Sequence, residues 1–253
     1  MRDLVIYTAL FGGYDQLRDP SFVDPGCDYV CFTDDPGLTS KVWDVRVVAS
    51  ERDAQSANRH CKFFPSLYLP EYRASMYVDS NLELRGPLAT LVRFSLEGAE
   101  MSCARHPLRQ CVYDEIECCQ REGKITQAQS LALVAEFEAA GYPRKAGLYE
   151  NNIIVRTHDS TEVASLMQDW WAMYESGPRR DQLSLNYLAW RRGIEIKYLS
   201  DSSRTGGRVF RYHLHSGALS MSRVRRTWLT WKARNLAVER YARLFKLLSA
   251  VRG

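Results

Sequence analysis

A short apolar stretch that ends in polar residues constrains the fold of this chain most. Residues 76–78 are apolar and prone to form a strand, and Asp79-Ser80-Asn81 follows them before the apolar pattern resumes at Leu82. A buried strand that ends in a carboxylate and an amide places oxygen ligands at the edge where open α/β sheets bind ligands. Such oxygens suit Mg²⁺ or Mn²⁺, and a divalent ion there can bridge the phosphates of a nucleotide. The same residues are also typical of a simple turn, in which Asp79 bonds only to its own backbone.

Other patterns indicate that this strand belongs to a mainly parallel sheet. Residues 4–10 and 28–33 are apolar runs, and the second ends in Asp34-Asp35. Strands that end in acids and are separated by long connections are typical of parallel sheets, whose strand ends share one edge. Further patterns predict strands at 43–48, 101–104, 153–155 and 194–199, and helical segments at 56–69, 87–96, 112–140, 162–174 and 180–190. We therefore expect a single α/β domain over residues 1–221.

The composition is that of an ordinary globular protein, with 45% hydrophobic and 25% charged residues. The seven cysteines are an odd number and lack the spacing of a disulfide scaffold or a zinc site, so we expect reduced thiols and a cytoplasmic protein. The first residues enter a strand directly, which predicts neither a signal peptide nor a membrane span.

Charge is concentrated in a tail at residues 222–253. The tail holds nine Lys or Arg and a single Glu, although the whole chain has a net charge of only +4. Its apolar residues include Trp228 and Trp231, so the pattern predicts a basic amphipathic helix that fits the surface of an anionic membrane. A helix packed on the body with its cations in water fits the same pattern. No recognised module supports nucleic-acid binding, and we expect none.

Five stretches in a fixed order resemble a known family. They are residues 7–15 (YTALFGGYD), 79–81 (DSN), 105–115 (RHPLRQCVYDE), 147–150 (GLYE) and 180–184 (RDQLS). Together they resemble the glycosyltransferases of the DUF616 family, whose plant relatives are called TOD1/MUCI70-like, over about residues 4–217. More distantly, the layout is similar to GT-A glycosyltransferases of the glycogenin and lipopolysaccharide-galactosyltransferase type. The resemblance implies a GT-A-like nucleotide-diphospho-sugar transferase domain with a mostly parallel central sheet.

The resemblance also implies a metal site. The distant relatives carry Asp-x-Asp where this chain has Asp79-Ser80-Asn81, and they use a late histidine as a further ligand. By analogy Asp79, Asn81 and His215 are the expected ligands of Mn²⁺ or Mg²⁺, with His213 as a competitor for the histidine role. The neutral amide of Asn81 weakens such a site relative to a second carboxylate.

A nucleotide-diphosphate sugar is the donor that the resemblance implies. Arg59 and Lys62 lie on the helix that leads to the Asp79 strand and could hold its phosphates, although they could equally lie on a solvated helix face. Asp34 could equally form a turn. The expected contacts to the nucleotide sugar are Thr8, Ala9, Tyr14, Asp34, Arg59, Lys62, Asp79 and Asn81.

The second half of the chain supplies the expected contacts to the sugar and the acceptor. Amides suit sugar hydroxyls, and a cluster that mixes cations with Glu115 could contact either substrate. Asp181 and Gln182 are the expected catalytic residues, with Asp181 as a base for the acceptor hydroxyl or a stabiliser of the sugar cation. Asp181 could instead be a helix N-cap. The expected substrate contacts are His106, Arg109, Asn151 and Asn152.

These expectations converge on transfer of a sugar from a nucleotide donor to a glycan or lipid-linked acceptor. A role in surface polysaccharide biosynthesis, at the inner face of a membrane, fits the basic tail. Two alternatives remain open: a metal-dependent hydrolase that uses the same residues on water, and a non-catalytic binder of nucleotide sugars or glycans.

Overall fold

The computed structural model describes residues 2–205, 208–238, 241, 243, 244 and 247. Its main sheet has seven strands in the order β3-β2-β1-β4-β7-β6-β8. These strands are β1 (Arg2–Leu10), β2 (Asp28–Thr33), β3 (Asp44–Val47), β4 (Tyr72–Val78), β6 (Met101–Arg105), β7 (Tyr149–Thr157) and β8 (Lys197–Tyr198). The helices are α1 (Ala54–Phe63), α2 (Pro65–Tyr68), α3 (Leu88–Leu96), α4 (Val112–Arg121), α5 (Gln127–Ala139), α6 (Thr161–Ser176), α7 (Leu185–Arg192) and α8 (Arg223–Arg234).

The sheet is mostly parallel, as the sequence predicts. The β1–β2, β1–β4, β2–β3 and β6–β8 pairs are parallel, whereas β7 is antiparallel to both of its neighbours, β4 and β6. The reversal of β7 brings its first residues to the edge at which β1 and β4 end. Asp79 therefore lies beside the start of β7, where its backbone N–H donates to the carbonyl of Asn152 at 2.9 Å.

The sheet is buried on both faces, which explains why its strands read as continuous apolar runs. Along β1, Val5, Tyr7 and Ala9 belong to one core, while Ile6 and Leu10 belong to the other. This alternation is the ordinary two-residue period of a strand. On the first face, the ring of Phe63 in α1 stacks on that of Trp170 in α6, with 3.9 Å between the ring centres.

A second sheet of two short strands was not predicted. It pairs β5 (Leu82–Leu84) with β9 (Phe210–Tyr212) in antiparallel register. The apolar residues that resume after Asn81 therefore form a strand of their own. Because His213 donates its backbone N–H to the carbonyl of Asn81 at 2.9 Å, this pairing brings the end of the body back to the Asp79 edge.

Three predicted elements differ in detail. The helix expected over 56–69 is broken at Phe64, because Pro65 starts a new short helix and cannot continue the hydrogen bonding of the first. The segment at 180–190 begins as a 3₁₀ turn over Asp181–Leu183 before α7. The strand expected at 194–199 is reduced to the two residues of β8.

The tail forms a helix, α8, whose N-terminus is capped by the side chain of Ser222. The end of α8 contacts the body, since Arg234 Nε donates to the carbonyl of Tyr212 at 2.6 Å. Trp228 and Trp231 remain more than 40% exposed on its outer side. Residues 239–240, 242, 245–246 and 248–253 of the predicted tail lie outside the described residues. Across the described part of the chain, no helix is long and apolar enough to cross a membrane.

Candidate active site

A cavity of about 740 Å³ lies at the edge where β1 and β4 end and β7 begins. Most of the residues expected to contact substrate or metal line it. They are Ala9, Tyr14, Arg59, Lys62, Asp79, Asn81, His106, Asn151, Asn152, Asp181, Gln182 and His215. The chain thus brings residues from both halves to one cavity.

Thr8, Asp34 and Arg109 do not line this cavity. Thr8 is 1% exposed, and strand alternation turns its side chain to the face opposite to that of Ala9. The carboxylate of Asp34 accepts the N–H of Gly12 at 2.9 and 3.0 Å, so it holds the turn after β1. Arg109 pairs with Glu115, which does line the cavity.

Asp79, Asn81 and His215 form what we call the strand end of the cavity. Asp79 is one third exposed, accepts a hydrogen bond from Tyr77 at 3.0 Å and is 3.9 Å from Lys62 Nζ. Asn81 Nδ2 donates to the carbonyl of His213 at 2.9 Å and is 3.4 Å from His215 Nε2. Two of the expected metal ligands are therefore neighbours, and the third lies two residues away on the same turn.

Asp15 holds His215 from behind. Its side chain is fully buried, and its Oδ2 is 2.7 Å from His215 Nδ1. Its Oδ1 accepts the hydroxyl of Ser216 at 3.0 Å. Burial opposes ionisation, but the hydrogen bonds from His215, Gln16 and Ser216 lower the pKa of Asp15 below its usual value. A buried carboxylate beside Nδ1 favours the tautomer that carries its proton there, which directs Nε2 toward Asn81 and the cavity.

His213, the other candidate ligand, turns away from the cavity. Its Nε2 is 2.8 Å from Glu83 on β5, and burial lowers the pKa of its imidazole. The structure therefore resolves the choice between the two histidines for a place on this cavity in favour of His215.

A cluster of paired charges occupies the centre of the cavity wall. Lys62 Nζ is 2.7 Å from Asp181, and Arg59 Nε is 3.2 Å from the same carboxylate oxygen. Burial alone would raise the pKa of Asp181, but the charges of Arg59 and Lys62 hold it well below its usual range. Both cations lie three residues apart on α1, so one helix face supplies them. Asp181 is thus a fixed negative charge rather than a ready proton acceptor.

Neighbouring amides present free acceptors beside this cluster. Asn151 Nδ2 donates to the carbonyl of Asp181 at 3.2 Å, and Asn152 Nδ2 donates to Ser203 at 2.9 Å. The Oδ1 atoms of both residues are buried without a hydrogen-bond partner in the described structure. The side-chain amide of Gln182 bonds to the backbone of β7: its oxygen accepts the N–H of Asn151, and its nitrogen donates to the carbonyl of Tyr149. Gln182 therefore positions Asn151.

The opposite end of the cavity, which we call the helix end, is lined by residues near α4. Glu115 of α4 is buried and neutralised by Arg109. Lys124 pairs with Glu122 at 2.5 Å. His106 and Arg180 complete the lining of this end.

Two lining residues, Arg204 and Glu150, were not expected at the site. Arg204 Nη2 donates to Glu150 Oε1 at 2.7 Å, and its guanidinium lies 4.2 Å from the centre of the Tyr212 ring. The Arg204 carbonyl also accepts the N–H of Ala237, which follows α8. Arg204 lies in a polar loop that has no helical or strand periodicity, and its partner Glu150 is 54 residues away in the sequence. The sequence therefore carries no signal for this pair.

The donor atoms at the strand end are of types that divalent cations bind, but only Asp79 among them is a carboxylate. Within the described residues, no three His, Cys, Asp or Glu side chains come together as a metal site. Asp79 and His215 offer one carboxylate and one imidazole nitrogen, and an amide oxygen of Asn81 would complete the set. The Asp15–His215 pair is the carboxylate–histidine arrangement that orients metal-binding imidazoles in proteins.

Comparison with known proteins agrees with the expected family. Among solved structures, the apo form of mouse xyloside xylosyltransferase 1 is similar, with 10% identity and a TM-score of 0.46 over 78% of this chain and 85% of that chain. A search of curated proteins gave no match. The model of the TOD1/MUCI70 glycosyltransferase-like domain matches residues 35–200, which is more than half of the 253 residues. The chain therefore belongs to the TOD1/MUCI70 family of glycosyltransferase-like domains.

Proposed function

We propose that the protein transfers a sugar from a nucleoside-diphosphate sugar to a glycan or lipid-linked acceptor in this cavity. One observation carries the proposal: Asp79, Asp181 and His215, which are far apart in sequence, line the same cavity. Family membership supports glycosyl transfer as the reaction class.

The donor would lie along the β1 edge, with its phosphates toward the strand end. Tyr14 is 68% exposed beside His215 and offers a ring on which a base can stack. Arg59 and Lys62 carry positive charge close to Asp79, which suits a diphosphate that gains charge as the sugar leaves. Mn²⁺ or Mg²⁺ held by Asp79, Asn81 and His215 would offset the same charge when bound.

The residues around Asp181 would hold the sugar. The free Oδ1 atoms of Asn151 and Asn152 would accept hydrogen bonds from sugar hydroxyls. The carboxylate of Asp181 would stabilise the positive charge that develops on the sugar in an oxocarbenium-like transition state. Since its pKa is strongly lowered, Asp181 would act through its charge and would not take up the proton of the acceptor.

The tail would bring the enzyme to its acceptor. Trp228 and Trp231 are exposed on α8 together with Arg225, a combination that suits the interface of an anionic membrane. We therefore propose a protein that acts at the cytoplasmic face of a membrane, in the assembly of a surface polysaccharide.

Turnover of a donor panel tests the proposal. The protein is incubated with UDP-, GDP-, ADP- and CDP-sugars and Mn²⁺, with and without neutral and charged glycan acceptors, and the released nucleoside diphosphate and the extended glycan are both measured. The proposal predicts release that depends on an acceptor and that is matched by glycan product. Release without any glycan product would indicate a hydrolase, and donor binding without release would indicate a binding protein.

A further inference from the structure

We propose that the helix end of the cavity binds an anionic group, a carboxylate or a phosphate, on the acceptor, and that Arg180 holds it. This inference rests on the proposed function, because it assigns this end of the cavity to the acceptor. It adds the substrate class, an acceptor that carries a negative charge near the hydroxyl to be glycosylated.

The pairing of charges around the cavity points to Arg180. The other lining cations of the described chain each have a carboxylate partner: Arg59 and Lys62 pair with Asp181, Lys124 with Glu122, and Arg204 with Glu150. Arg180 lines the same cavity and makes no ion pair with any described residue, and its Nε is buried without a hydrogen-bond partner. A guanidinium that is partly withdrawn from water and unpaired is costly unless a ligand pairs with it.

The backbone holds Arg180 in place. The preceding residue, Arg179, has a φ of 56°, a left-handed conformation that is uncommon for residues other than glycine. The contacts of Arg179 maintain it, since its guanidinium donates to Asp53 at 2.6 Å and its carbonyl accepts from Gln55 Nε2 at 3.1 Å. The Arg180 carbonyl in turn accepts the N–H of Leu183 at 3.2 Å. The loop is thus fixed to the start of α1, so Arg180 is presented to the cavity in an ordered backbone.

The position of Arg180 favours the acceptor over the donor phosphates. Its charge acts on Cys119 of α4, where it opposes the rise in the pKa of the thiol that burial causes. The charge of Arg180 also helps to lower the pKa of Asp181, and the 3₁₀ turn that begins at Asp181 packs against α4. Arg180 therefore lies between Asp181 and α4, whereas Asp79 and His215 lie at the strand end. The nearby carboxylate of Glu115 is already neutralised by Arg109 and does not serve Arg180. A planar guanidinium binds carboxylate and phosphate oxygens in a bidentate manner, which gives the site its selectivity.

Binding of small sugar probes tests this inference directly. Methyl glucuronide, a phosphorylated methyl glucoside and neutral methyl glucoside are titrated into the full-length protein, and binding is followed by NMR. We expect the wild type to bind at least one charged probe about tenfold or more tightly than the neutral probe. The preferred charged probe tells whether a uronic acid or a sugar phosphate is the better ligand.

Matched variants identify the residue responsible. Arg180→Gln should remove the preference and leave the melting temperature nearly unchanged, because Arg180 makes no ion pair or Nε hydrogen bond within the described structure, and Arg180→Lys should retain part of it. Arg121→Gln, which removes the same charge from an exposed position on α4, should leave the preference intact.

Two results would overturn the inference. One is equal binding of charged and neutral probes to the wild type. The other is a loss of nucleoside-diphosphate affinity in Arg180→Gln with an unchanged preference among the sugar probes, which would place Arg180 at the donor. The sugar probes are titrated in the absence of a nucleotide sugar. If no nucleotide sugar binds in a separate titration, that result counts against the proposed function and not against the role of Arg180.

Discussion

The two ends of the cavity differ in the sign of the charge that is most open to a ligand. At the strand end, Asp79 is one third exposed and its nearest cation, Lys62, is 3.9 Å away. At the helix end, Arg180 is a cation without a partner among the described residues. The carboxylates and cations between the two ends pair with one another at 2.7–3.2 Å. The closely paired charges therefore hold the shape of the cavity, and Asp79 and Arg180 are the two charges most open to a ligand.

The strongest test of this distinction is Asp181→Asn. Removing the shared carboxylate leaves Arg59 and Lys62 buried with only Asp79 nearby, 3.9 Å from Lys62 Nζ, which should cost about 3–5 kcal/mol in the free energy of unfolding. Chemical denaturation measures the loss. Asp169→Asn is the matched control, because Asp169 also pairs with two arginines but lies at the surface, where a pair is worth about 1 kcal/mol or less. Equal losses in the two variants would contradict the structural role of the central cluster.

The same cluster predicts a dependence of stability on pH. Because the pKa of Asp181 is lowered in the folded protein, its contribution is fully present above the unfolded pKa of about 3.9 and is lost as the pH falls toward the folded value. The difference in unfolding free energy between the wild type and Asp181→Asn should therefore be constant from neutral pH to about pH 5 and shrink below about pH 4. A difference that already shrinks near neutral pH would contradict the lowered pKa.

Asp79→Asn should affect binding rather than stability. The variant removes the one carboxylate among the proposed metal ligands, so the affinity for Mn²⁺ should fall by about a hundredfold or more, which exceeds the usual effect of losing a supporting residue. Isothermal titration with Mn²⁺ measures this change. Asp159→Asn, at an exposed position away from the cavity, should bind Mn²⁺ as the wild type does. An unchanged affinity in Asp79→Asn would show that the Asp79 carboxylate does not serve a metal.

Asp15→Asn should have a smaller effect on the same end of the cavity. An amide in place of the buried carboxylate no longer fixes the tautomer of His215, so Mn²⁺ affinity should fall by about 10- to 100-fold. ¹⁵N NMR of the imidazole should show Nδ1–H in the wild type and a mixture of tautomers in the variant. Asp24→Asn provides the control, because Asp24 is an equally buried carboxylate that binds backbone N–H groups elsewhere. The account fails if both variants bind Mn²⁺ equally well.

The smallest predicted effect concerns the tail. Arg225→Gln removes one exposed cation from α8, three residues before Trp228, and should weaken binding to phosphatidylserine vesicles by about 1 kcal/mol, or about fivefold. Vesicle sedimentation at low salt measures it, with Arg121→Gln as a control for the loss of net charge. Equal vesicle binding by the wild type and Arg225→Gln would contradict a membrane role for α8 and favour a helix that only packs on the body.

The central strands and the location of the cavity could be predicted from the sequence. Strands buried on both faces are continuous apolar runs, and the rule that parallel strand ends share one edge brings Asp79 to the site. The resemblance implied nucleotide contacts from Thr8 and Asp34 but did not say which side chains turn inward, and neither residue lines the cavity.

The remaining features depend on contacts between distant parts of the chain. β5 and β9 have three residues each, too few for a periodic pattern, and they pair across more than 100 residues. Asp15 and His215 are 200 residues apart and meet only because β9 returns the chain to the cavity. Residue types alone could name Arg180 as a cation, but its lack of a partner is visible only once every neighbouring charge has been placed.

Thermal unfolding with nucleoside-diphosphate sugars, measured with and without Mn²⁺ in the wild type and in Asp79→Asn, tests the central claim most directly. At about 100 times its Kd, a bound donor should stabilise the wild type by about 2.7 kcal/mol. The account predicts that Mn²⁺ enhances this stabilisation and that the enhancement disappears in Asp79→Asn. The same Mn²⁺-dependent stabilisation in both proteins would contradict it.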